Sequence, residues 1–376
     1  MGERFFADAL VIGAGPAGLG AALGLARQGV SVAVLEMQDR LGSRRRGETI
    51  RFDREMNALL GAGFFEKQTI RRINRRSYFS HTGLKRVDRT INNPNLIISW
   101  TDFIRAMADV VRDAGARILT ASTVVGLVRE EGRIAGVRAM MGGFMEEELK
   151  TKAVFSCGGC EDPAARLLNI DRSGMDMPVA KQLVRGYTGP ADRFEYHFHV
   201  HGGSLTIATI FPRAEGEAET ILMGYARGRK PRTVSFEEFA GAHCLFRERL
   251  RGADPFYSLK TTIPMGRMIS QCCPEDRLVM AGDVLGHVQS RGGSGIRSSF
   301  LMGYTAGWLG AGALLSGPWT AETTRKLEQG IQGSPPMRGL HRHNLIYSTL
   351  RAGIFGSIRD PGKMDRLWPL LRIALR

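Results

Sequence analysis

The chain has 376 residues, 43% of them apolar and 24% charged, a composition that excludes a disordered protein at a length that admits two domains. Its net charge of +15 comes from 52 basic against 37 acidic residues, which admits nucleic acid, an anionic membrane surface or a phosphate-bearing substrate as partner. Neither zinc-finger spacing nor an aromatic-interleaved basic stretch is present, so nucleic acid is set aside and a membrane or lipid partner is preferred.

The first predicted element is a strand over residues 7–12, a short apolar run of the kind buried in parallel sheets. Gly13-x-Gly15-x-x-Gly18 follows at once, with Pro16 and Ala17 inside the turn. Residues 19–27 read as a helix of small side chains, ended by Gly29. Residues 30–35 alternate as a second strand, closed by Glu36 and Met37. Each position has a physical role in a dinucleotide site. Gly13 permits the tight turn, Gly15 lets backbone approach a pyrophosphate, and Gly18 lets the helix sit on the strand. The helix N-terminus offers unpaired N–H groups and a positive dipole end to the phosphates. Glu36 accepts the two ribose hydroxyls. The turn alone does not separate FAD from NAD.

Further along, "RRRGETI" (44–50) is basic, and "RSYFSHTGLKRVDRTI" alternates on either side of Thr82-Gly83, a hairpin signal. "CGGC" joins Cys157 and Cys160 at redox-motif spacing, although a tight Gly-Gly turn is the preferred reading. In "RFEYHFHVHGGSLTIATIFP" the residues His197, His199 and His201 share one face of a strand. With no acidic or cysteine partner nearby, that face is expected to look toward substrate or solvent, and no metal site is assigned.

Residues 276–281 form another buried-strand pattern that ends in Gly282-Asp283. Gly292, Gly293 and Gly295 crowd before Ile296 and a long apolar segment. An aspartate at such a strand end accepts a ribityl hydroxyl. The glycines let the next helix N-terminus approach a flavin ring, where its dipole favours negative charge. The two glycine-bearing turns together therefore point to FAD. Residues 298–321 carry no charge, but five glycines and Pro318 favour a buried helix packed against a cofactor over a membrane span. Residues 331–339 read as a linker. In the tail, Ile346, Leu350, Ile354 and Ile358 repeat every four residues, and Trp368 follows. Eight Lys/Arg stand against two Asp from 338 to 376. A basic amphipathic segment at a membrane interface and a helical pair covering the cofactor domain are both open.

With these pieces the chain resembles the geranylgeranyl reductase family of FAD-dependent oxidoreductases, within the glutathione-reductase-like group of para-hydroxybenzoate-hydroxylase type. Four segments carry the resemblance: "VIGAGPAGLGAALGLARQGVSVAVLE", "RRRGETI", "SWTDFIRAMADVVRDAGARILTASTVVGLVREEGRIAGVRA" and "TTIPMGRMISQCCPEDRLVMAGDVLGHVQSRGGSGI". It implies an α/β fold in which a Rossmann-like FAD-binding domain with a β-meander takes residues 1–70, 100–175 and 270–330. A second, mostly antiparallel sheet over 71–99 and 176–269 is the substrate domain, and 331–376 is a helical basic segment. It also implies that Arg44, Arg46 and Gly47 lie beside the flavin and that Val124 touches the adenine through backbone. Some positions depart from the family: Gly158 stands where relatives carry the aspartate of an Asp-Gly pair, Trp100 where Arg is frequent, and Ser290 where Pro is common.

The activity implied is reduction of carbon–carbon double bonds of an isoprenoid or other lipid-like substrate. The reductant is open among NADPH, ferredoxin and quinol, so an electron-donor protein is among the partners. Glu48 and His287 are the polar groups expected nearest the ring, and the catalytic residue is unassigned. Flavin monooxygenase or halogenase activity, and an electron-transfer-flavoprotein–quinone type of dehydrogenase, are the rival readings. Five cysteines, an odd count, with no signal peptide lead to an expectation of a reducing cytoplasmic compartment, peripheral on the inner face of the membrane if the tail binds it.

Overall fold

The fold is that of a computed structural model, which describes residues 6–45, 47–201, 203–225, 234–265, 267–290, 293–354, 358 and 360–374. Strand Ala7–Ile12 runs parallel between Val32–Leu35 and Met145–Ser156. Arg117–Leu119 lies outside Val32–Leu35, and Leu278–Met280 pairs with the end of Met145–Ser156. Val32–Leu35 and Leu278–Met280 are buried throughout, which is why they read as unbroken apolar runs. The first half of Met145–Ser156 belongs instead to an antiparallel meander with Arg133–Met141 and Ser122–Glu130.

Helices Pro16–Ala26 and Ile296–Leu315 cover this sheet and touch each other through glycine. A Cβ on Gly303 would fall 1.9 Å from the Ala17 carbonyl oxygen, one on Gly307 2.1 Å from that of Ala21, and one on Gly20 2.3 Å from that of Phe300. These are backbone-to-backbone contacts that no side chain permits. The expectation that the glycines of 298–321 face a cofactor is thereby corrected. Gly303 and Gly307 meet the first helix, and Gly310 meets the ring of Phe155. No helix among the described residues is long and apolar enough to cross a membrane.

The second sheet has eight strands. Their order is Asp254–Ile263, Met177–Arg185, Glu217–Tyr225, Ser204–Pro212, Arg193–His201, Thr69–Phe79, Arg86–Ile98 and Thr49–Arg51. Neighbours are antiparallel except Arg193–His201 and Thr69–Phe79, which run parallel. Thr49–Arg51 precedes residue 70 yet forms an edge of this sheet.

The two faces of Arg193–His201 differ from the expectation. Phe194, Tyr196 and Phe198 look into the interior space between the sheets. His197 and His199 point away from it, under helices Phe236–Ala242 and Cys244–Arg249, with the His197 ring 5.4 Å from Phe246 and the His199 ring 5.6 Å from Phe239. They face neither substrate nor solvent: His197 and His199 are 0% and 5% exposed. Neutral imidazoles serve here as flat packing groups, as in the stacked pair His81–His199 at 4.3 Å. Burial pushes His199 down to about 4, and neighbouring His243 to about 3. Among the described residues no three His, Cys, Asp or Glu are arranged to hold a metal.

The C-terminal region is helical over Ala321–Gln332, Pro335–Ile354 and Pro361–Ala374. The linker expected at 331–339 shrinks to Gly333-Ser334, because Pro335 opens the next helix where a missing N–H costs nothing. Met337 and Leu340 join the core of the first domain, whereas Ile358, Met364 and Trp368 pack on Tyr78, Phe198 and Leu205 of the second sheet. Trp368 is 6% exposed, so this tryptophan does not face out toward an interface. The side chains of Leu350 and Ile354 lie outside the described residues.

Candidate functional site

A cavity of about 750 Å³ begins at the turn after the first strand and continues to the inner face of the second sheet. Gly13, Gly15, Pro16, Ala17, Glu36, Met37, Arg44, Gly47, Val124, Asp283, Gly293, Gly295 and Ile296 all stand on its wall. Gly18 and Gly282 do not line it; they hold its walls together. A Cβ on Gly18 would lie 1.8 Å from the Gly13 carbonyl oxygen, and one on Gly282 2.5 Å from Ala17 Cβ. Arg46 and Gly292 lie outside the described residues.

The first turn offers the cradle expected of a dinucleotide site. Gly13 has φ +92° and a Cβ there would meet the Cys157 carbonyl oxygen at 2.8 Å, so the backbone requires glycine. Gly15 is different. Its φ of −76° suits any residue, and a Cβ there would meet nothing within 4 Å. Its side is open to the cavity, at the N-terminus of Pro16–Ala26 where amides await acceptors. Glu36 accepts from Ala14 N at 2.8 Å and from Gln38 N at 2.9 Å. Those amides fix the carboxylate beside the turn and leave each oxygen a further lone pair for a hydroxyl. These residues fit the adenosine-diphosphate half of FAD.

At the other end, Gly282 has φ +92° and delivers Asp283 from the strand end. Asp283 Oδ1 accepts from Ser299 Oγ at 2.9 Å, on the first turn of Ile296–Leu315. That helix starts at Gly295 and points its N-terminal amides at the cavity. Arg44 is held across the cleft by Glu161, through contacts of 2.6 and 2.9 Å.

Neither polar residue expected nearest the ring is a free acid. Glu48 is 1% exposed; it accepts from Arg213 at 2.5 Å, Arg45 Nε at 2.7 Å and Trp100 N at 3.0 Å. It ties strand ends of the second sheet to one another and to the start of helix Trp100–Asp113. His287 is fully buried, where it accepts from Gly282 N at 3.0 Å, and burial pushes it down to about 3. It braces the turn that presents Asp283. Cys157 and Cys160 form no disulfide and stand in the tight turn preferred from sequence, with Gly159 at φ +73°. Burial, with Asp162 beside it, pushes the Cys157 thiol up, away from thiolate chemistry. Asp162 fills the space beside Gly158 and accepts from its N–H at 2.7 Å.

The far chamber is apolar and aromatic. Phe194 and Phe211 stack at 4.1 Å, with Tyr196 edge-on at 5.7 Å, and Ile221 and Met223 continue the wall. Charged groups interrupt it: Arg76 beside Phe194 in the strand register, and the pair Lys181 with Glu219 at 2.7 Å. Sequence reasoning did not find this pair or the Glu48–Arg213 contact, whose members are 38 and 165 residues apart. The aromatic alternation opposite the histidines was the one available signal for the chamber.

Comparison with known proteins agrees with this geometry. Residues 7–314 match the model of the FAD binding domain family. The chain is 23% identical to the digeranylgeranylglycerophospholipid reductase of Methanocaldococcus jannaschii, over 86% of this chain and 81% of that protein. In structure it is similar to a geranylgeranyl bacteriochlorophyll reductase-like protein of Thermoplasma acidophilum. The TM-score is 0.81 at 17% identity, covering 97% of this chain and 91% of that one. A flavin-dependent brominase shares the fold with a TM-score of 0.72 at 14% identity, over 97% and 94% of the chains.

Proposed function

The chain belongs to the FAD binding domain family as an FAD-dependent oxidoreductase, and on that premise we propose that it reduces carbon–carbon double bonds of an isoprenoid or similarly apolar substrate. The observation that carries the reading is the single cavity that joins the dinucleotide turn to an aromatic and aliphatic chamber. An apolar chain in that chamber lies in the same enclosed space as the cofactor. Similarity to the archaeal lipid reductase supports the same substrate class.

FAD, when bound, supplies the hydride. The protein's part is to bind, orient and dry the reactants. The turn from Gly13 to Gly18 and Glu36 hold the adenosine end, and Asp283 with the amides at Gly295 and Ile296 holds the ribityl and ring end. Phe194, Tyr196 and Phe211 exclude water from the alkene, which strengthens every polar interaction made to it. Glu48, tied to Arg213, Arg45 and the Trp100 amide, fixes strand ends of the second sheet beside the cavity.

The test uses anaerobic protein reduced with dithionite. Adding a geranylgeranyl lipid is expected to reoxidise the flavin and add two hydrogens for each reduced double bond, read by mass spectrometry. Absence of both counts against the proposal. An oxygen-dependent product would favour the monooxygenase and halogenase reading that shares the brominase fold. Electron flow to a quinone alone would favour the quinone dehydrogenase. Replacing dithionite by NADPH, ferredoxin or a quinol identifies the donor.

A further inference from the structure

Lys181 and Glu219 are a charged pair in a stretch of cavity wall whose nearest strand partners are Ile221 and Phe211; Arg76 and Thr209 also line the cavity. Lys181 stands opposite Ile221 in the antiparallel register, and Glu219 stands opposite Phe211 on the neighbouring strand. Glu219 is two residues from Ile221 and shares its face, so Lys181 reaches it diagonally. The two side chains are 3% and 1% exposed, and both line the cavity. Their 2.7 Å contact is an ion pair without hydrogen-bond alignment. Lys181 Nζ and Glu219 Oε2 have no hydrogen-bond partner among the described residues. A buried ion pair is costly to desolvate and is often replaceable by apolar side chains without loss of stability. Its unmet donors and acceptor sit where a bound molecule supplies what the protein does not.

We propose that Lys181 and Glu219 form a polar anchor that fixes an otherwise apolar substrate by one neutral hydroxyl group. The inference rests on the reading of this cavity as the substrate chamber. The chemistry selects the group. The ammonium donates to the hydroxyl oxygen, and the carboxylate accepts the hydroxyl proton, so one small group meets both needs. An ionised phosphate or carboxylate fits poorly at this pair, because Glu219 already neutralises the lysine and repels a second anion. The anchor sits on the sheet, so it sets how far the chain extends along the chamber.

The experiment uses oxidised, FAD-loaded protein and measures equilibrium binding without turnover. The probes are geraniol, the same hydrocarbon with hydrogen in place of the hydroxyl, and geranyl phosphate. The alcohol is expected to bind roughly tenfold or more tighter than the hydrocarbon, because a site built for a hydroxyl rejects the analogue that leaves it unpaired. It is also expected to bind tighter than the phosphate. The double variant Lys181→Met, Glu219→Gln leaves no lone buried charge and is expected to keep its flavin content while losing the preference for the alcohol. Equal binding of alcohol and hydrocarbon by the unaltered protein overturns the anchor and spares the apolar chamber. A preference that survives in the double variant also overturns it. Tightest binding of the phosphate overturns the choice of a neutral group. Failure of both the alcohol and the hydrocarbon to bind overturns the chamber reading, and the anchor with it.

Discussion

At the scale of single residues, two glycines of one turn separate structure from function. Gly13 carries φ +92° and touches the Cys157 carbonyl, whereas Gly15 has an ordinary φ and open space where its side chain would be. Gly13→Ala is therefore expected to destabilise the fold by about 1–3 kcal/mol, from strain at positive φ and a backbone clash. Gly15→Val is expected to leave the melting temperature of the flavin-free protein nearly unchanged while weakening FAD by tenfold or more, about 1.4 kcal/mol. Flavin titration and thermal melts of both variants check this; equal effects on stability and on FAD would sink the distinction. These glycines were legible in the sequence because a missing Cβ is a local requirement. Lys181 and Glu219 were not, because their meeting depends on a strand register that no short stretch encodes. Glu48 was noticed, but its occupation by Arg213 depends on a contact 165 residues away.

At the scale of elements, the glycines of Ile296–Leu315 divide the same way. A Cβ on Gly303 would fall 1.9 Å from the Ala17 carbonyl oxygen of the first helix, and one on Gly312 would meet nothing within 4 Å. Gly303→Ala is expected to push the helices apart at a cost of about 1–3 kcal/mol or more. Gly312→Ala is expected to stabilise the helix by about 0.5–1 kcal/mol. Comparing the two by chemical denaturation tests the packing directly. The sequence pointed to a buried, close-packed helix but set its glycines against a cofactor, because glycine spacing does not identify the partner. The strand Arg193–His201 teaches a related lesson: its period of two put the histidines on one face, but the expectation that this face looks toward substrate or solvent failed at His197 and His199, which lie buried under two helices. The buried histidines add a pH dependence. Burial holds His199 at about 4 and His243 and His287 at about 3. Unfolding releases each to about 6.5, so below that pH the unfolded chain binds more protons and stability falls. The loss runs from about pH 6.5 down to the folded values and is about 1.4 kcal/mol per group for each pH unit. Melts from neutral pH to about pH 5.5 are expected to lose roughly 4 kcal/mol from these three. His199→Phe, which keeps the stack on His81, is expected to lessen that slope; a slope unchanged by the substitution would contradict the assignment.

At the scale of the whole molecule, the C-terminal helix belongs to the chamber rather than to a separate appendage. Trp368 packs edge-on to Phe198 at 6.1 Å, and Phe198 and Ile207 face both that helix and the cavity. Lys85 ties the same helix to the hairpin through Asp365 at 3.5 Å. Ala14 and Ala17 of the first glycine turn pack in a different core from Trp368. Trp368→Ala is thus expected to have separable effects. Removing the indole leaves a void worth about 3–5 kcal/mol if the site cannot collapse. Released locally, that energy frees the helix and loosens Phe198 and Ile207, while the dinucleotide turns stay formed. Limited proteolysis is expected to cut near Arg366 in the variant before it cuts elsewhere. FAD content is expected to stay at the level of the unaltered protein. Affinity for geraniol is expected to fall roughly fivefold, the equivalent of about 1 kcal/mol of lost wall contact. A variant that loses its tail to protease yet binds geraniol as before would show that the helix only covers the sheet. One that loses FAD as well would show that the two domains melt together.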